Sequence, residues 1–244
     1  MRWLLSLLFI GQMYVMMAVL ALVFTPWALV DRRGAFAGVH AYCRYVRWSA
    51  ALLVGLRSQV RGQVPEGEVL IAAKHQSFFD IIILCSVVPR PKFIMKAELK
   101  WAPILGWYAL RIGCVPVNRG KRGQAIRQMQ EDVAKGTAGP GQLIIYPQGT
   151  RIAPGARAAY KVGTGVLYEQ MAQPCVPVAV NVGLFWPRHG IVRQPGLAVV
   201  EFLPVIAPGR PVAEFMAALE QVVEAGSDRL MAEAGFKGRR TDGD

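Results

Sequence analysis

Residues 69–80 read Val69-Leu70-Ile71-Ala72-Ala73-Lys74-His75-Gln76-Ser77-Phe78-Phe79-Asp80. The apolar run Val69–Ala73 has the length and composition of a buried strand. Ser77 is a favoured helix N-cap, and Asp80 three residues later completes a capping-box-like pattern that predicts a helix over Ser77–Val87. A strand that leads straight into a helix is the start of an α/β unit. His75 and Asp80 would diverge by about 140° on one continuous helix. They meet only if His75 lies in the loop and Asp80 in the first turn. Asp80 could then hold one imidazole nitrogen and leave the other free as a base; alternatively it only caps the helix.

The alternation continues on both sides of this unit. Further strands are predicted at Phe93–Met95, Cys114–Val117, Leu143–Tyr146, Val176–Val182 and Leu197–Val205. Helices are predicted at Ile104–Arg111, Gln124–Lys135, Gly163–Met171 and Val212–Ala234, the last with Phe215, Leu219, Val222 and Val223 inward and its acidic residues outward. The pattern implies an α/β fold built on a mixed, largely parallel sheet flanked by helices. Before it, Trp3–Val30 carries no formal charge and is bracketed by Arg2 and by Asp31-Arg32-Arg33. It exceeds the roughly 20 helical residues that cross a bilayer core, and it is too long and lacks the cleavage site for a signal peptide. Pro26 weakens helix continuity near its end. Ala35–Leu56 forms a second helical pattern with basic and aromatic residues interleaved, as on an interfacial helix or one docked on the domain. The two make an N-terminal membrane-associating hairpin, either spanning or dipping into one leaflet. The expected organisation is residues 1–61 as membrane-anchoring helices, 62–236 as the α/β domain and 237–244 as a tail.

Composition narrows the function. The chain has 244 residues, 53% hydrophobic and 18% charged, with 28 Lys+Arg against 16 Asp+Glu for a net charge of +12 and a pI near 10.0. All of the positive excess falls before residue 165. Such a field suits an anionic partner. A mean hydropathy of +0.31 favours anionic membrane lipids over nucleic acid, whose binders are basic and polar. Cys43, Cys85, Cys114 and Cys175 are too scattered for a disulfide framework or a zinc site, and read as small buried residues. No nucleophile elbow, Walker A loop, dinucleotide fingerprint, HExxH or EF-hand occurs in the sequence, which leaves little support for nucleotide or metal chemistry.

Two more segments carry polar residues in chemically useful patterns. Lys96-Ala97-Glu98-Leu99, followed by Pro103, Gly106, Gly113 and Arg119, spreads cations and turn residues over a strand-helix-strand unit. Tyr146-Pro147-Gln148-Gly149-Thr150-Arg151 follows another strand. A Gly-Thr turn can offer backbone N–H groups to an anion, and Arg151 can clasp a phosphate through two N–H donors.

In this order the segments resemble the glycerolipid acyltransferase superfamily, and within it the bacterial 1-acylglycerol-3-phosphate acyltransferases. The first motif of that family, H-x-x-x-x-D, is matched by His75 and Asp80. The second, K-x-E-L-x-x-x-P-x-x-G ending at an arginine, is matched from Lys96 to Arg119. The third, F-P-E-G-T-R, is matched by Tyr146–Arg151 with two changes, and the V-P-V strand by Val176-Pro177-Val178. The resemblance covers about residues 67–205. It implies transfer of a fatty acyl group from an acyl carrier protein or CoA thioester to the sn-2 hydroxyl of lysophosphatidic acid, giving phosphatidic acid. It implies His75 as catalytic base and Asp80 as its orienter, with no covalent acyl-enzyme, cofactor or metal. Gly149, Thr150 and Arg151, supported by Lys96 and Arg119, would hold the acceptor phosphate. The implied location is the cytoplasmic side of a bacterial inner membrane. Lys74 stands where the family commonly has asparagine, and adds positive potential beside the base. Gln148 stands where it has glutamate, which leaves another lysolipid, such as lyso-ornithine lipid, as an alternative acceptor. A non-catalytic protein that binds anionic lipids is the rival from a different class.

Overall fold

The computed structural model describes residues 1–117 and 141–238. The predicted helix Gln124–Lys135, Arg119 and most of the C-terminal tail lie outside the described residues. Helix α1 spans Arg2–Val30 and α2 Arg32–Val54, packed as an antiparallel hairpin. Strand β1 (Leu56–Arg61) comes next, then β2 (Leu70–Ala73), α3 (Phe78–Val87), β3 (Pro91–Lys96), a 3-10 turn at Ala97–Trp101, α4 (Leu105–Arg111) and β4 (Val115–Val117). The chain continues with β5 (Gln142–Ile145), α5 (Gly163–Met171), β6 (Cys175–Val180), a 3-10 turn at Val182–Leu184, β7 (Gly196–Phe202) and α6 (Val212–Glu233).

The seven strands form one sheet in the order β1-β7-β6-β2-β5-β3-β4. Every neighbouring pair is parallel except β6 with β7, which run antiparallel. β2 sits at the centre, buried on both faces, as its unbroken apolar run requires. Because successive residues of a strand point to opposite faces, Ile71 and Ala73 join the core shared with α2 and α3, while Leu70 and Ala72 join the core under α5 and α6. β5 divides the same way, with Ile144 and Tyr146 toward α3 and Leu143 and Ile145 toward α6.

Three expectations need correction. The sheet begins before residue 62, because Leu56–Arg61 pairs in parallel with Gly196–Glu201 as an edge strand. Helix α2 stops at Gly55, whose φ of +69° suits the left-handed C-terminal position that glycine adopts at least cost. Second, Pro26 does not interrupt α1, which stays helical to Val30. Third, the acidic face of α6 is not wholly outward: Glu224 is buried and Val222 is the exposed member of the pair.

Helix α1 is long and apolar enough to cross a membrane, and only 11% of its most apolar window is buried by protein. Leu4, Leu8, Val15, Leu22 and Val23 are among its exposed residues. Its inner side nevertheless belongs to the domain. Phe9 and Met13 are buried in the main core, and Phe9 meets Trp186 edge-on at 5.5 Å. Trp186 in turn stacks on Phe79 at 5.2 Å, and the Arg193 guanidinium lies 4.3 Å from the centre of its ring. So α1 is a structural element of the α/β domain as well as an apolar surface. Phe9→Ala is expected to cost about 3–5 kcal/mol, the range for emptying a buried aromatic site, whereas Leu8→Ala on the exposed side should leave stability nearly unchanged. Thermal unfolding of the detergent-solubilised chain checks both.

Candidate active site

β2 ends at Ala73, and its alternation carries on into the next two residues. Lys74 continues the α6 side and His75 the α3 side. Ser77 caps α3, accepting from the Phe79 N–H at 3.1 Å, and Asp80 reaches back to complete the capping box. Asp80 Oδ2 accepts from the N–H groups of Gln76 at 2.9 Å and Ser77 at 2.8 Å. Its Oδ1 lies 3.0 Å from His75 Nδ1. Asp80 is fully buried, while the His75 side chain keeps 14% of its surface. A carboxylate only accepts, so Nδ1 carries the proton and Nε2 is left as the basic nitrogen.

Tyr146, at the end of β5, stacks on the imidazole with centroids 3.9 Å apart and donates its hydroxyl to Asp80 Oδ1 at 3.3 Å. Burial, with the Asp80 charge behind it, pushes the phenol pKa well above its usual 10, so it stays a donor. The turn after it closes when the Gly149 N–H donates to the Tyr146 carbonyl at 2.8 Å. Gly149 has φ +69°. Its N–H is therefore committed to the turn rather than offered to an anion, which corrects one part of the expectation. Thr150 is exposed and Arg151 half-buried beyond it. The Ile152 N–H donates to the His75 carbonyl at 2.8 Å, which joins this turn to His75 directly.

Lys96 ends β3 with an exposed side chain, on the same edge of the sheet as His75 but two strands away, or about 10 Å at the usual strand spacing. The structure thus brings His75, Asp80 and the Gly149–Arg151 turn together and leaves Lys96 at the margin.

Sequence reasoning missed several neighbours. Lys161 donates its backbone N–H to the Pro147 carbonyl, and its ammonium would lie 2.9 Å from a Cβ at Gly149, so a second cation borders the turn. Arg188 donates to the Arg151 carbonyl at 3.2 Å. Lys74 is not a free charge beside His75. It is buried, and its ammonium donates to both Glu224 oxygens at 2.6 and 2.7 Å. Gln148 turns its amide toward the same carboxylate at 3.5 Å and donates to the Ala158 carbonyl at 3.3 Å. The two departures from the family pattern, Lys74 and Gln148, meet at Glu224.

The family model described as Acyltransferase matches residues 57–181. The chain belongs to the acyltransferase family. It is 28% identical over 197 residues to a 1-acyl-sn-glycerol-3-phosphate acyltransferase of Pseudomonas aeruginosa, covering 80% of this chain and 77% of that one. It is 30% identical over 156 residues to a lyso-ornithine lipid O-acyltransferase of Brucella abortus, covering 64% of this chain and 50% of that one. It spans about half the length of some other relatives, 54% in the case of the Saccharomyces cerevisiae 1-acyl-sn-glycerol-3-phosphate acyltransferase. The crystal structure of the 1-acyl-sn-glycerophosphate acyltransferase from Thermotoga maritima superposes with a TM-score of 0.79 at 20% identity, covering 95% of this chain and 96% of that one. The acyltransferase domain therefore takes the fold of that enzyme, hairpin included.

The stack and the hydroxyl of Tyr146 can be separated by mutation. Tyr146→Phe keeps the ring against His75 and removes one long hydrogen bond, so acyl transfer should fall by less than about tenfold, in line with about 1 kcal/mol for such a bond. Tyr146→Ala frees the imidazole to rotate and should cost more. Steady-state rates of both purified variants check this order.

Proposed function

We propose that the chain transfers a fatty acyl group from an acyl carrier protein or CoA thioester to the sn-2 hydroxyl of lysophosphatidic acid, forming phosphatidic acid. The observation that carries this reading is the His75 Nδ1–Asp80 Oδ1 contact at 3.0 Å, set beside the Gly149–Arg151 turn in a chain of the acyltransferase family. His75 Nε2 takes the proton of the acceptor hydroxyl as its oxygen attacks the thioester carbonyl. Asp80 holds the imidazole in the correct tautomer and balances the imidazolium that forms. Collapse of the tetrahedral intermediate expels the thiolate, which takes the proton back from His75. No protein nucleophile and no cofactor is required by these steps.

Thr150 and Arg151 hold the acceptor phosphate, with Lys161 at the rim and Lys96 and Arg119 as further cations. An Arg guanidinium suits a phosphate because two parallel N–H donors match two oxygens. The exposed apolar side of α1 and the basic excess of the N-terminal two thirds support association with an anionic membrane, and we place the catalytic domain on the cytoplasmic face of a bacterial inner membrane. Lyso-ornithine lipid is the second acceptor to consider, favoured by the Brucella abortus relative and by the uncharged Gln148. It carries no phosphate for Arg151.

The test is a panel of both lysolipids with acyl-CoA and acyl carrier protein donors, products being read by mass spectrometry. His75→Ala should lose about 10²–10⁴-fold in turnover with folding intact, and Asp80→Asn should be severely impaired. Arg151→Ala should raise the lysophosphatidate KM by about 10- to 150-fold and leave the donor KM little changed. Wild-type turnover in the His75 variant would overturn the mechanism. An unchanged lysophosphatidate KM in Arg151→Ala would overturn the phosphate assignment.

A further inference from the structure

The Glu224 carboxylate, on the C-terminal helix, gathers three segments that are remote in sequence. Lys74, adjoining the base, donates to both of its oxygens. Tyr160 donates to Oε1 at 3.0 Å, and Arg157 pairs with Oε2 and with Asp228. Gln148, the residue before Gly149, turns its amide toward Oε1. Tyr160 and Arg157 lie in the segment just after Arg151. The carboxylate thus touches the end of the base-bearing strand and both sides of the anion-holding turn.

The helix that carries it is itself pinned to the sheet around the site. Ser227 accepts from the Val180 N–H at 3.3 Å, the Leu230 carbonyl accepts from Asn181 at 3.2 Å, and Met231 sulfur lies 3.6 Å from Gln76 Nε2. Residues 224, 227 and 231 share one helical face. Glu224 is therefore presented from a braced surface.

We infer that Glu224 is a positioning residue for acyl transfer: it sets the separation between His75 and the Gly149–Arg151 turn by holding Lys74 on one side and Tyr160 and Arg157, in the segment after the turn, on the other. Glu224's hydrogen bonds and ion pairs among the described residues go to Lys74, Gln148, Arg157 and Tyr160 rather than to His75, Asp80 or Arg151, so it acts through its partners. A buried ion pair is a weak source of net stability, because apolar residues of similar volume commonly serve as well. What an apolar pair would not supply is a directed link between two catalytic segments. The general base and the phosphate clamp must address the same acceptor molecule, and a displacement of about 1 Å between them is enough to cost about 10²-fold in rate. The inference rests on the reading of His75 as base and of the turn as phosphate holder.

The experiment separates fixing geometry from holding the fold. Glu224→Gln leaves the Lys74 ammonium buried without a counter-charge, and should lower Tm by about 10 °C. The paired substitution Lys74→Met with Glu224→Leu removes both charges. Its Tm should return to within a few degrees of wild type, while kcat/KM for lysophosphatidate with oleoyl-CoA stays down by about 10- to 100-fold, shared between kcat and acceptor KM. Glu224→Asp keeps the charge opposite Lys74 but withdraws it by one methylene; it should remain folded and lose kcat/KM in the same direction. All measurements use the full chain in detergent. Wild-type kcat/KM in either the paired variant or Glu224→Asp overturns the positioning role. If the unsubstituted chain acylates neither lysophosphatidate nor lyso-ornithine lipid, the proposed function falls first and this inference with it.

Discussion

The two-residue period of strand β2 governs the site. One residue past the strand, Lys74 falls on the side covered by α6, and the next, His75, on the side covered by α3. A shift of one residue would exchange them, sending the imidazole toward Glu224 and the ammonium toward Asp80. Register here is secured by the parallel pairing of β2 with both β5 and β6 and by the apolar packing of Leu70 and Ala72 against one layer and Ile71 and Ala73 against the other. The same period at the end of β5 brings Tyr146 to the imidazole, and the turn that follows breaks the alternation and carries Gln148 across to the Glu224 side.

The hairpin of α1 and α2 is tied into this arrangement more closely than an anchor needs to be. Phe9 and Met13 fill the layer that also holds Phe79, the residue before Asp80, and Trp186 links them. Arg47 of α2 donates to Ser58 of β1 and Ser86 of α3. Apolar surface on the outer side of α1 thus faces the surroundings while its inner side supports α3, the helix that carries Asp80.

Local features were legible in the sequence. The capping box from Ser77 to Asp80, the central strands and the two N-terminal helices each arise from short-range pattern, and the structure has them within a few residues of the expected bounds. What was not legible depended on contacts between distant segments. Leu56–Arg61 alternates an inward Leu56 with outward arginines, a pattern too short and too charged to separate from the end of α2, and only its pairing with β7 makes it a strand. Lys74 and Glu224 are 150 residues apart. An acidic residue on an amphipathic helix is ordinarily solvated, so nothing in the neighbourhood of Glu224 marks it as buried. Lys161 and Arg188 likewise reach the turn only through the folding of separate loops.

Two buried carboxylates consequently serve the site by different physical means. Asp80 is held by backbone N–H groups of its own helix start, five residues from the His75 it contacts, and its geometry is set as soon as α3 forms. Glu224 depends on a helix near the end of the chain docking across the sheet. Until it docks, Lys74 has no counter-charge in the interior, and burying a lone ammonium is strongly unfavourable. The strand end can thus close into its final form only together with α6. The His75–Asp80 pair is a local unit, whereas its alignment with the Gly149–Arg151 turn is a property of the whole domain.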